Sequence, residues 1–133
     1  LKRKERDMPE LKLSADCGNS PKNQFVEQVT VALLLHDRDT LERLLSAELR
    51  WERIGDEVIL DKAAILEGKH LPDADAIAAL EIEHVLTHGK VGAVNGIARF
   101  ESGRSWLFAA IYEFFNAKAS SIKDIKLYLI EAD

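Results

Sequence analysis

The chain has 133 residues, 47% hydrophobic and 31% charged, with a formal net charge of −5 and a single cysteine. That length supports one core without staples, and the balance is that of an ordinary globular domain. The charge argues against a nucleic-acid surface, the lone cysteine against a disulfide framework or cysteine-rich zinc site, and the apolar runs are too short to span a membrane.

In chain order, Leu1 to Asp7 is almost wholly charged. Such a run has nothing to bury, so a disordered tail is expected there, ahead of a single domain over residues 8–133. Met8, the only methionine, reads as the natural start of that domain. No signal-peptide pattern precedes the first helix, and a cytoplasmic location is expected. Ser20 and Pro21 open that helix as N-cap and first helical residue. It runs to about Leu35, with Phe25, Val26, Val29 and Leu33 inward at helical spacing. Asp39, with Glu42 three residues on, reads as a capping-box start for a short second helix that turns Leu41, Leu44 and Leu45 inward. Cys17 has two readings: a thiol activated by the nearby helix N-terminus, or a small buried hydrophobe in a packed loop. The second is preferred, because no base is assured beside it.

Leu49 to Ile54 reads as a strand, Gly55-Asp56 as a turn and Val58 to Leu60 as the return. Asp61 caps a third helix through Leu66, stopped near Gly68, and Pro72 and Asp73 lead into the main sheet. Three antiparallel strands follow: Leu80 to Leu86, Val91 to Phe100 and Ser105 to Phe115. His88-Gly89 and Ser102-Gly103 read as two-residue hairpin turns. Asn116 to Lys123 is a polar loop, and Asp124 to Glu131 closes the sheet as a fourth strand. Helices first and a meander last describe an α+β layer fold, with helices on one face of a curved sheet.

Two-residue turns fix a register. Thr87 is expected opposite Lys90, His84 opposite Ala93 and Ile82 opposite Asn95. Glu101 pairs with Arg104, so Asn95 falls opposite Ala110 and Ala93 opposite Tyr112. Alternation then puts Leu80, Ile82, His84, Leu86, Ala93, Asn95, Ile97, Arg99, Trp106, Phe108, Ala110 and Tyr112 on one face, as a core with polar groups set into it. The other face carries Val85, Val94, Ala98, Phe100, Leu107, Ala109, Ile111 and Phe115, and is also largely apolar. A sheet apolar on both sides must cover both.

With that order, the stretches Ala15-Asp16-Cys17-Gly18-Asn19-Ser20-Pro21-Lys22, Trp51-Glu52, Thr87-His88-Gly89-Lys90, Gly92-Ala93-Val94-Asn95-Gly96 and Tyr112-Glu113-Phe114 carry a resemblance. The chain resembles the nuclear transport factor 2-like superfamily, which includes SnoaL-like cyclases and ketosteroid isomerases. Within it, the chain is most similar to small bacterial SnoaL-like proteins of unassigned function. The resemblance implies a cone-shaped sheet closed by three N-terminal helices, a pocket opening at one end, and a homodimer joined through the outer sheet face. It implies no established chemistry. The isomerases need an acidic base and a Tyr–Asp pair. This chain offers Trp51 or Arg53 near the base's place, and Ala110 where related proteins often carry a polar group.

Two functions of different classes stay open. One is a small-molecule-binding dimer of unassigned ligand, which need not be catalytic, whose pocket is lined by Trp51, Asn95, Arg99, Trp106, Phe108 and Tyr112. The other is an isomerase, cyclase or lyase acting on a small hydrophobic carbonyl compound. There His84 would be the general base and Asn95 or Tyr112 would polarise the substrate. The first is preferred, since no carboxylate is committed to the pocket face. The expected partners are a small hydrophobic ligand and a second copy of the chain, with no nucleic acid and no membrane. No cofactor is expected, and the four histidines show no metal-ligand spacing.

Overall fold

The computed structural model describes residues 9–18, 20–71, 76–118 and 121–132. The expected tail, and the Pro72-Asp73 lead-in, lie outside them. Within them are three helices and seven strands. The helices are α1 (Pro21–Leu35), α2 (Arg38–Leu44) and α3 (Lys62–Leu66). The strands are β1 (Glu10–Lys12), β2 (Arg50–Arg53), β3 (Val58–Leu60), β4 (Ile77–His88), β5 (Val91–Phe100), β6 (Ser105–Phe114) and β7 (Ile122–Ala132). They form one sheet in the order β1-β4-β5-β6-β7-β2-β3. The β2–β3 hairpin joins by pairing β2 parallel to β7, and β1, which the sequence reading missed, runs parallel to β4. The helices pack on one side, giving the α+β cone with an open edge. No helix among the described residues is long and apolar enough to cross a membrane.

The first helix forms as its sequence demands. Ser20 Oγ accepts the Asn23 amide at 3.2 Å, Pro21 sits in the first turn, and Val26 and Val29 are fully buried. His36 ends it in the left-handed region, and its amide returns to the Ala32 carbonyl. The second helix starts two residues before the expected Asp39. Asp37 is its N-cap, accepting from the Thr40 amide and hydroxyl at 3.3 and 2.7 Å.

The expected registers need correction at three places. The first hairpin turn is Gly89-Lys90, flanked by His88 and Val91, so His84 stands opposite Asn95 and not Ala93. That displacement keeps the parity. The second loop does not, because it holds three residues, Glu101 to Gly103. The Phe100 amide donates to Arg104 O and Gly103 N to Phe100 O, with Gly103 at φ 97 in the left-handed position such a loop needs. One extra residue moves every β5 side chain to the opposite face relative to β6. Val94, rather than Asn95, lies opposite Ala110, and Gly92, rather than Ala93, opposite Tyr112. The physical reason is burial: this register puts Phe100 inside, edge-on to Trp106 at 4.6 Å, and leaves Arg99 in water.

The third correction is a bulge in β4 between Ile82 and His84. Leu80 and Ile82 face the core, the strand takes one extra residue, and Val85 then becomes the inward side chain. His84 and Leu86 are turned out by it. Gly96 sits across from the bulge. A Cβ there would run into the Glu81 carbonyl oxygen and to within 2.8 Å of the Phe108 ring. The bend is so tight that only a residue without a side chain fits.

Candidate functional site

The inner face of the sheet and the C-terminal half of α1 enclose a cavity of about 20 Å³. Thr30, Leu33 and Leu34 come from α1, and Trp51 from β2. His70 and Leu71 follow α3, Trp106, Ala110 and Tyr112 lie on β6, and Ile125, Leu127 and Leu129 on β7. That volume holds about one water molecule. Its wall is apolar except for three groups, and no Asp or Glu among the described residues lines it.

Of the polar groups of the wall, the Thr30 and Tyr112 hydroxyls and His70 Nε2 are tied down, while His70 Nδ1 is buried with no hydrogen-bond partner. Thr30 Oγ1 donates to the Val26 carbonyl at 2.8 Å, which uses its only proton. Tyr112 therefore donates to Thr30 across the 2.7 Å that separates the hydroxyls. Tyr112 is fully buried, and desolvation pushes its phenol well above the ordinary range. His70 lies 3% exposed, with Nε2 at 2.8 Å from Leu33 O, so Nε2 carries the proton. Burial depresses its pKa to about 4, outweighing the opposite pull of the Leu33 and Ile65 carbonyls. It is a neutral imidazole, edge-on to Trp51 at 6.0 Å and 5.4 Å from the His36 ring.

Arg53 does not itself line the cavity but stands on β2 next to Leu127 of β7, a wall residue that in turn pairs with Ala110. It thus belongs to the same inward row as two wall residues. Its Nε bonds Asp56 Oδ2 of the hairpin turn at 2.6 Å, and the side chain is 13% exposed. Its Nη1 is buried with no hydrogen-bond partner.

The expected site residues divide between the two faces. Trp51, Trp106 and Tyr112 line the cavity. Phe108 is buried on the same face, packed under Gly96. His84, Asn95 and Arg99 are outside, because the β4 bulge and the three-residue loop turn their strands over. The expected cluster of His84, Asn95 and Tyr112 is therefore split. His84 and Asn95 remain neighbours, but through the sheet from Tyr112.

On the outer face, His84 has a 72% exposed side chain, and its Nδ1 lies 3.0 Å from Asp16 Oδ2. The same oxygen accepts the Val85 amide at 3.2 Å. The His84 hydrogen bond, then the Val85 amide, lower the Asp16 pKa. Asn95 donates to Glu83 at 2.9 Å. His84, Ala93, Asn95, Ala109 and Ile111 help line a shallow groove of about 170 Å³. Around it are Leu86, Val91, Leu107, Tyr128 and Ile130, all exposed. Of the residues expected on this face, Leu107, Ala109 and Ile111 point outward and Phe115 is exposed, while Val94, Ala98 and Phe100 are core.

Cys17 follows the inert reading. Its thiol is buried and bonded to Glu27 Oε1 at 3.3 Å, and burial, then that carboxylate, push its pKa to about 11. Thr30 and His70 are polar cavity residues that the sequence reading did not place in the pocket. Thr30 had a signal: it lies four residues from Val26, on the apolar stripe of α1, where a hydroxyl needs a partner. His70, beyond a short helix, had none.

No protein-family model matches the sequence, and no curated protein does. Solved structures do match. A candidate ketosteroid isomerase from Kribbella flavida superposes with a TM-score of 0.69 at 13% identity, over 84% of this chain and 79% of that one. A protein of unknown function from Burkholderia xenovorans gives 0.67 at 14%, over 84% and 87%. A candidate SnoaL-like polyketide cyclase from Shewanella denitrificans gives 0.65 at 13%, over 84% and 92%. Identities this low speak for the fold alone, and with the cone, the three helices and the inward-facing cavity it is the fold of the nuclear transport factor 2-like superfamily.

Proposed function

We propose that the protein is a non-catalytic, dimeric binding module of the cytoplasm that takes a small hydrophobic molecule into its cone. The observation that carries the reading is the wall of the cavity: apolar, with a neutral imidazole and a paired phenol, and without a carboxylate among the described residues. Such a lining rewards desolvation of an apolar ligand and provides no general base poised near neutral pH. The isomerase, cyclase or lyase alternative loses its named base, since His84 stands in water on the far side of the sheet. Entry of anything larger than water requires side chains at the cavity's edge, Leu71 among them, to move outward.

The dimer reading rests on the outer face. Leu86, Val91, Leu107, Ile111, Tyr128 and Ile130 are exposed hydrophobics on neighbouring strands, a patch that favours a self-complementary cover. Light scattering at micromolar concentration should return a dimer. Ile111→Glu should return a folded monomer, because an unpaired charge at the centre of such an interface is costly. A monomeric wild type would end this part of the reading.

The pocket is tested with straight-chain alcohols from butanol to decanol, following the emission of Trp51 and Trp106, both of which line the cavity. Saturable binding should tighten by about 0.8 kcal/mol per methylene until the cone is full. A linear response without saturation across the series would refute a pocket.

A further inference from the structure

The geometry points to a carboxylate as the polar end of the ligand, held by Arg53 at the edge of the cavity. This inference rests on the binding reading above and adds the ligand's chemical class. Buried donors in native proteins are paired almost without exception, so each exception asks for a missing partner. Arg53 Nη1 is such an exception: buried, unpartnered and part of a guanidinium that can only donate.

Position supports the assignment. Arg53 lies in the sheet row that continues through Leu127 to Ala110, and both of those line the cavity. The guanidinium is half used. Its Nε edge meets Asp56 on the hairpin turn, at a residue that is largely in water. Nη1 belongs to the other edge of the same rigid fork, on the buried side. A planar anion can therefore bond the inner edge without displacing Asp56, and Arg is the side chain best shaped to hold a carboxylate this way. With the head there, an aliphatic or aromatic tail would run along Leu127 and Leu129 toward Trp106. The other groups of the wall suit such a tail. His70 is neutral and Tyr112 is spent on Thr30, so neither competes for the charge.

The test compares straight-chain carboxylates from butanoate to decanoate with the alcohols of equal length, on the full chain, by Trp fluorescence and calorimetry. Carboxylates should bind about tenfold more tightly than the matching alcohols, the worth of one charge-assisted hydrogen bond over a neutral one. Arg53→Gln should erase that preference while leaving alcohol binding intact, and Arg53→Lys should restore part of it. Equal binding of acids and alcohols by the wild type, or a preference that survives Arg53→Gln, overturns the inference but leaves the apolar pocket standing. Binding of neither class overturns both. Should Arg53→Gln fail to fold, Asp56→Asn carries the test with the guanidinium in place. Removing the negative charge that Asp56 places on the same guanidinium should tighten carboxylate binding severalfold, and unchanged or weaker binding overturns the inference.

Discussion

The two faces of the central strands are nearly matched in apolar content, yet one became a sealed core and the other an open patch. Inward, Gly92, Val94, Gly96 and Ala98 are small, and they let the large β6 side chains Trp106, Phe108 and Tyr112 lie across the sheet under α1. Outward, Ala93, Asn95 and Ile97 alternate with them, beside Leu107, Ala109 and Ile111. What separates the faces is the distribution of charge and bulk. Inward-facing hydroxyls are buried and bonded to each other, as in the Thr30–Tyr112 pair, whereas outward polar groups such as His84 and Glu83 stay hydrated. The inner face tolerates changes of volume poorly, and the outer face tolerates most.

That contrast breaks most sharply at Gly96. Gly96→Val should cost about 4 kcal/mol or abolish folding, because the new side chain meets backbone as well as the Phe108 ring. Gly92 lies on the same face, but there the atoms nearest an added Cβ are the methyls of Val26 and Thr87 and the Tyr112 Cβ, at 3.2 to 3.5 Å. Gly92→Ala should cost about 1 kcal/mol in urea denaturation. Equal costs at the two glycines would mean that the bulge is not where the tight approach lies.

Next in size is the pH dependence of the inner face. The unfolded chain protonates His70 near pH 6.5, while the folded chain resists down to about pH 4. The unfolded state therefore binds the extra proton, and stability is lost as pH falls through that window, by up to about 3 kcal/mol. Asp16, whose pKa is lowered, adds its own loss only at lower pH, as its carboxylate is protonated. His70→Phe should flatten the stability profile between pH 6.5 and 4. An unchanged slope in that variant would show that His70 is not the buried base.

Tyr112→Phe should cost about 1 kcal/mol, since it removes one buried hydrogen bond and leaves Thr30 still bonded to Val26. The smallest effect belongs to the outer face. His84→Ala should change the stability by less than about 0.5 kcal/mol, as an exposed pair with Asp16 contributes little. Thermal melts of both variants in one buffer would check the order, and a larger loss at His84 than at Tyr112 would invert the assignment of the faces.

The sequence alone determined the local elements. Ser20 and Pro21 set the start of α1, the spacing of Val26, Val29 and Leu33 set its buried side, and Gly89 and Gly103 marked the hairpins to within a residue or so. Together with the motif resemblance, those elements made the cone fold and the inward place of Trp51, Trp106, Phe108 and Tyr112 legible. What only the tertiary structure decided is which side of the sheet His84, Asn95 and Arg99 occupy. A strand's side chains alternate with a period of two, so one bulge residue after Ile82, or one extra residue in the loop after Phe100, reverses a whole face. Nothing local selects between a two-residue and a three-residue loop at Glu101 to Gly103. The choice is made by burial across the sheet, where Phe100 gains Trp106 as a neighbour and Arg99 keeps its water. The pairing of Thr30 with Tyr112, and the unpartnered Nη1 of Arg53, arise from the same long-range packing of helix, hairpin and sheet, whose contacts no stretch of sequence contains by itself.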